Sequence, residues 1–529
     1  LYDNEESPIT GHGLKDPKSG ETAPSRVGRW KGLAGPLRRR ICVSSYTEAE
    51  LDDFATPLSI HLERSAHAKS VDRIDWIAEQ MDAECVVIYD SYLQWTALLQ
   101  TFIIERRGEA AHDEALREMG GHAFREFVEA YRDQSVKARV EMLARRLRAS
   151  GSTFDVIEEA DRVRFRLTSW GAARLNRPIA ERGTDNRRIT YASYGAYAAP
   201  TNLATLKAAS PLTKGLTGLP CFIASEILFL EIIPTDMLGK PIAIIEADGD
   251  VAGIVHLDID KTGLPDARSF DRIGYAVPRD PVEPRATGLL FSAEDLDQLA
   301  TPLSIQVREA AAAQDWDRLL AISADMDAEL VGAKDPLGIL INGLLTWIAR
   351  HLGEAAAIEA LERTADFVMS PYLDWVSNVS PIDAIPMWAM VWRAHGSTFW
   401  ITEEEDRFVL RGRPLGACAR MAASRYEPEV RRISPSRVRY PTFGSGEAPL
   451  CAHKLREPHP LNHFTPGFPV YSAHCTMLHE VFPIDRIGRP LWVEEHPLDD
   501  PDGDTVHYHY KDPKGWPEPF YTRVGRIKP

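Results

Sequence analysis

Thr47–Ile60 reads TEAELDDFATPLSI, and Ser292–Ile305 reads SAEDLDQLATPLSI. A pattern that returns about 245 residues later marks a repeated structural unit, and it has to be read before any single element. Outward from these two stretches the agreement continues without a gap. MDAE at Met81 meets MDAE at Met326, GEAA at Gly108 meets GEAA at Gly353, and GSTF at Gly151 meets GSTF at Gly396. Further on the register drifts by a few residues, yet LGKP at Leu238 still faces IGRP at Ile487. The expected organisation is an N-terminal arm over 1–45, a first repeat over 46–289 and a second over 290–529. Each repeat lies within the usual size of a domain.

Both repeats carry the same order of local signals. Thr47 with Glu50, and Ser292 with Asp295, have the spacing of capping boxes. Thr56-Pro57 and Thr301-Pro302 read as an N-cap followed by proline at the first helical position. The segments from Asp72 and from Asp317 space apolar residues at three and four, as amphipathic helices do. STFDVIEEADRVRFRL and STFWITEEEDRFVLRG place β-branched and aromatic runs around an acidic turn, which predicts a hairpin in each copy. A late helix follows, LPCFIASEILFLEII or FPVYSAHCTMLHEVF, and then two more strands. The predicted class is α+β: a tandem duplication in which each copy joins a helical N-terminal part to a four-stranded antiparallel sheet. The copies are expected to pack with pseudo-twofold symmetry, as an ancestral homodimer would.

Composition narrows the function. A formal charge of -16 and a pI near 5.5 argue against a nucleic-acid surface, which needs clustered outward-facing cations. The one basic run, Arg38-Arg39-Arg40, lies in the polar arm and reads as a solvated face. No window has the length of uncharged apolar sequence that a membrane span requires, and the N-terminal residues lack the build of a secretory signal. The six cysteines are scattered, so reduced thiols in the cytoplasm are expected. The expected partner is a small-molecule substrate; the oligomeric state is open, with a homodimer as one option.

The two copies differ in chemistry. Eight of the sixteen histidines and two of the six cysteines fall between Cys451 and His509, whereas the matching part of the first copy holds only Cys221 and His256. In the late register His474, Cys475 and His479 face Ser225, Glu226 and Leu230. Cys475 and His479 are four apart, so a helix would project both from one face. That suits a shared metal ion or a Cys–His pair, while His474 leaves the helix about 100° away. Cys451 and His453 lie on a preceding proline-rich loop with His459 and His463. His507 and His509 are two apart on the last strand and share a face.

Each feature has a plain structural alternative. Cys475 could be a buried apolar residue, and His479 a core histidine with a satisfied nitrogen. His507 has an apparent counterpart in His256, which would suit a shared structural hydrogen bond, and His509, facing Asp258, could be solvent-exposed. Glu480 recurs as Glu231 and is therefore presumed structural, with a role in acid–base chemistry as the alternative. No spacing matches a standard zinc motif.

The second copy has a cysteine-containing loop at Cys451, a late helix with Cys475, and a final strand after Gly503-Asp504 carrying His507. Over about 60 residues this layout resembles the C-terminal part of the L-2-amino-thiazoline-4-carboxylic acid hydrolase-like family. The resemblance implies a hydrolase that opens a small C–N or C–S heterocycle, with Cys475 as the residue to carry over. The family usually shows cysteine near the position of His507, and this chain departs there.

The expected function is a metal-dependent hydrolase or lyase acting on a small molecule. Cys451, His453, His474, Cys475 and His479 are the candidate ligands of one ion, Zn²⁺ foremost with Fe and Cu as alternatives. Cys475, His479, His507 and Glu480 are the candidate catalytic residues. The competing readings are a metal-free enzyme with Cys475 as nucleophile and His479 or His507 as its base, and a non-catalytic binding protein with a structural metal site.

Overall fold

A computed structural model of the chain describes residues 44–129, 131, 134–169, 203–247, 254–261, 288–412, 452–495 and 504–529. Within them the protein is mixed α+β with antiparallel sheets. The N-terminal arm lies outside this range except for Ser44 and Ser45.

Both opening helices start as the sequence dictates. Thr47 caps Glu48–Ala55 and Ser292 caps Ala293–Ala300, each through a reciprocal capping box with Glu50 or Asp295. The threonines before the prolines act differently from the expectation. Pro57 and Pro302 themselves occupy the N-cap positions of Leu58–Ala68 and Leu303–Ala312. Thr56 and Thr301 instead turn back, donating their hydroxyls to the carbonyls of Asp52 and Asp297 at 2.8 Å, and so close the preceding helix.

Two long helices, Ile74–Arg107 and Trp316–His351, pack against each other through the middle of the molecule. Around them lie two four-stranded sheets. The first contains β1 (Thr153–Glu158), β2 (Arg162–Ser169), β3 (Ile244–Ala247) and β4 (Ile254–Asp260) in the order β1-β2-β4-β3. The second contains β5 (Phe399–Glu403), β6 (Arg407–Gly412), β7 (Val493–Glu495) and β8 (Thr505–Tyr510) in the order β5-β6-β8-β7. One apolar core runs through both halves, and a smaller one joins Leu62 and Ile77 to Val307 and Ile322.

The opening segment of each half lies on the sheet of the other. Glu48–Ala55 packs on β5, and Ala293–Ala300 packs on β1. Glu403 on β5 accepts the amides of Ser45 at 2.7 Å and Tyr46 at 3.1 Å, and holds Lys511 at 2.7 Å. Glu158 on β1 accepts the amides of Leu290 at 2.7 Å and Phe291 at 3.0 Å, and holds Lys261 at 2.7 Å. Deeper in, Arg148 pairs with Glu329 at 2.7 Å and donates to the Leu299 carbonyl, while Arg393 pairs with Glu84 at 2.9 Å and donates to the Phe54 carbonyl. All four charged side chains are buried.

The late helix of each half is not uniform. Phe222–Ile227 opens into a π-helical turn, Leu228–Ile232, before Ile233–Leu238; Ala473–Thr476 does the same through Met477–Val481 before Phe482–Ile487. Wide turns of this kind interrupt the ordinary helical spacing and are frequent at functional sites. His479 lies in the second of them.

Candidate functional site

Strand β8 sets the floor of the site. Its residues alternate between faces, and His507 and His509 both turn inward, where they are essentially inaccessible to solvent. Across the ladder His507 pairs with Glu494 of β7, another buried side chain. The π-helical turn brings His479 over this pair, and one turn earlier the same segment supplies Cys475. Helix Ile385–Ala394 contributes Trp388 and Trp392, and Trp492 precedes β7.

Glu494 is the hub. Its Oε1 lies 3.3 Å from His507 Nε2, and its Oε2 lies 3.6 Å from His479 Nδ1. Ligand atoms of Cys475, His479 and Glu494 all fall within 4.8 Å of one another. The Trp492 ring sits among the imidazoles, 3.9 Å from His479, 5.5 Å from His509 and stacked 6.0 Å from His507. Trp392 closes the side with its ring 4.4 Å from that of His507. The indole nitrogens of both tryptophans, and both ring nitrogens of His509, have no hydrogen-bond partner among the described residues.

Burial governs the protonation state. It pushes His479 down to about 4, against the pull of Glu494, with His474 and His507 adding to the depression. It also holds His509 well below the ordinary imidazole range, helped by His507 and His479. Neutral imidazoles keep a lone pair available for a metal. A buried cluster of imidazole, carboxylate and sulfur donors suits a borderline divalent ion. The donors present therefore fit the metal expected from the sequence.

The first half is built differently at the same places. Leu257 pairs with Phe165 and Ile245 just as His507 pairs with Leu410 and Glu494, and Ile259 pairs with Val163 as His509 pairs with Phe408. The Ile242 amide bonds the Leu230 carbonyl as the Leu491 amide bonds that of His479, both at 2.8 Å. Leu230, Ile245, Leu257 and Ile259 are all core residues. This register corrects the sequence-based pairing of His507 with His256 and of His509 with Asp258. One residue more lies between the last two strands of the second half than of the first, and a slip of one residue exchanges the faces of a strand. His509 is accordingly buried, 3 % exposed, rather than at the surface. Asp258 binds Arg162 and Arg164 instead.

The other expected residues lie elsewhere. His474 places Nε2 3.5 Å from Cys475 Sγ, but its Nδ1 is held by the Tyr471 carbonyl and its ring packs 4.5 Å from Trp95, a residue of the first long helix. His453 bonds Glu354 at 2.7 Å, where Glu354 also accepts the amides of Arg456 and Glu457, so it latches its loop to the start of helix Glu354–Val376. Cys451 falls outside the described residues. Glu480 is paired with Arg523 at 2.8 Å. His459 accepts the amide of Leu461 and shapes its own loop.

Sequence reasoning missed Glu494 and the three tryptophans. The signal was present: PLWVEEH puts Trp492 and Glu494 where PIAIIEA has Ala243 and Ile245. A second group of potential donors, Glu114, Glu118 and His351, lies toward the surface between the halves. No helix among the described residues is long and apolar enough to cross a membrane. No family model, curated protein or solved structure matches the chain.

Proposed function

We propose that the protein is a metal-dependent enzyme whose centre lies in the second half, and that it hydrolyses, or cleaves by a lyase reaction, a C–N or C–S bond of a small molecule in the cytoplasm. His479, Glu494 and Cys475 hold one divalent ion, Zn²⁺ foremost, and His507 lies against Glu494. A bound ion of this kind supplies Lewis acidity and a water whose pKa falls to about 7. Glu494 orients His507, and the tryptophans keep bulk water away. The observation that carries this reading is the convergence of donor atoms from three chemically different, buried side chains within 4.8 Å of one another. The loose resemblance of the C-terminal layout to thiazoline-opening hydrolases points to the same substrate class.

We read the chain as a tandem duplication whose halves pack about a pseudo-twofold axis. Support comes from the sequence repeat, from the like strand orders, and from the reciprocal pairs Arg148–Glu329 and Arg393–Glu84. In this reading the first half has become scaffold.

A metal-free reading with Cys475 as nucleophile is favoured by one contact, the 3.5 Å approach of His474 Nε2 to its sulfur. The two are separated by measuring metal content in protein purified without chelator, together with turnover of small cyclic amides and thiazolines. One equivalent of ion, lost with activity in His479→Leu and Glu494→Ile, supports the metal centre. Activity that survives complete removal of metal, and is abolished by thiol alkylation, supports the nucleophile.

A further inference from the structure

A cavity of about 110 Å³ lies between the two halves, apart from the histidine cluster, where the helices after the two Thr-Pro turns meet the long helices. Its walls come from both halves in matched pairs: Leu58 with Leu303, Met81 with Met326, Asp82 with Asp327. The methionines and leucines make an adaptable apolar lining. The charges at its rim are unequally compensated. Glu84 and Glu329 are each tied to a buried arginine. Asp82, half-buried, and Asp327, exposed, have no ion-pair partner within salt-bridge distance among the described residues. Ser59 donates to Asp327 at 2.8 Å. At the matching position Ser304, 2 % exposed and lining the cavity, faces Asp82 and favours its ionised form.

We propose that this cavity is a binding site for a short aliphatic diamine, its methylene chain lying on Met81 and Met326 and its ammonium groups on Asp82 and Asp327, with the Ser304 hydroxyl accepting one N–H. The size is right for a handful of heavy atoms, since an engineered cavity of about 150 Å³ accepts benzene. A bare divalent ion fits poorly, because it demands oxygen donors on several sides and the walls are largely apolar. An alcohol of the same length would bring no charge to the half-buried Asp82 carboxyl. Burial pushes the Asp82 carboxyl up to about 6, against Ser304 and Arg308, so it gains from a facing cation. Because both halves wall the cavity, a ligand there would favour the closed junction between them.

The test is isothermal titration of the full chain with 1,4-diaminobutane, n-butylamine, butan-1-ol and MgCl₂. The expected result is saturable binding of the diamine, about tenfold weaker binding of the monoamine, and no saturable heat from the alcohol or Mg²⁺. Asp82→Asn and Asp327→Asn should each weaken the diamine by about tenfold or more. Met326→Trp, which fills the cavity without touching either carboxylate, should abolish binding while the circular dichroism spectrum and melting cooperativity stay those of the wild type. Absence of diamine binding to the wild type, equal affinity for butan-1-ol, binding of Mg²⁺ but not of amine, or full diamine affinity in both aspartate variants would each overturn the proposal. The readout needs neither a metal at the histidine cluster nor a known substrate, so it fails or succeeds independently of the proposed enzyme.

Discussion

The core under the first sheet and the core under the second share a strand order and a ladder register and differ in almost every side chain. Leu230, Ile245, Leu257 and Ile259 seal the first, whereas His479, Glu494, His507 and His509 occupy the second. The walls change as well: Leu143, Leu147 and Ala243 stand where the second half has Trp388, Trp392 and Trp492. Cys475 stands in the place of Glu226, which in the first half pairs with Arg146 at 2.9 Å. The first half builds the same strand order with apolar residues at these places. Polar residues at four adjoining core positions cost stability unless partners compensate them, and here Glu494 lies against two of the three histidines.

The comparison can be broken most severely at the junction. Arg148→Met and Arg393→Met each leave a buried glutamate without its partner, and each should cost about 3–5 kcal/mol, read from urea-unfolding midpoints. If the junction is as reciprocal as its contacts, the two losses agree closely; a near-zero loss for one of them would end that equivalence.

Glu403 offers the next effect. Burial alone would raise its carboxyl, but Lys511, the amides of Ser45 and Tyr46 and the Ser44 hydroxyl outweigh burial and bring it down to about 2. The folded value thus lies below the unfolded one, near 4.5. Its contribution, about 3 kcal/mol, is complete above that value and is lost as pH falls toward 2. Glu403→Gln should remove this part of the acid sensitivity, measured as stability against pH between about 5 and 2; an unchanged profile would show that the clamp does not hold the opening segment.

Grafting the first pocket onto the second sharpens the comparison directly. The quadruple replacement His479→Leu, Glu494→Ile, His507→Leu and His509→Ile should abolish metal content. It should also be about 1–4 kcal/mol more stable than metal-stripped wild type in denaturant titration. A graft less stable than the stripped protein would mean that the polar cluster is itself well satisfied. Smallest, Thr47→Ala and Ser292→Ala should each cost about 1 kcal/mol in thermal melts, since each removes one side of a capping box.

Much of this was legible in the residues. Local periodicity gave the hairpins, the late helices and the two sheets, because those follow from spacing along the chain. Cys475 and His479 could be placed together for the same reason. The inward aim of His509 could not, since the single extra residue before β8 decides which face it takes. Glu494 escaped because nothing in a strand that reads Val-Glu-Glu says which of the two glutamates faces inward until the ladder partner is known. The crossing of Glu48–Ala55 onto β5 leaves no trace in the sequence, for a repeat records the order of elements and not which copy of a sheet each one meets.

That crossing has a consequence for the order in which the molecule is made. The seat of Tyr46 includes Glu403 of β5, 357 residues further along the chain, so the first helix among the described residues waits for β5 before it can dock. Contacts closed over such a span are slow to form. During synthesis the apolar face of that helix stays uncovered, a window in which a holdase would bind the nascent chain and a truncated product would be recognised as unfinished.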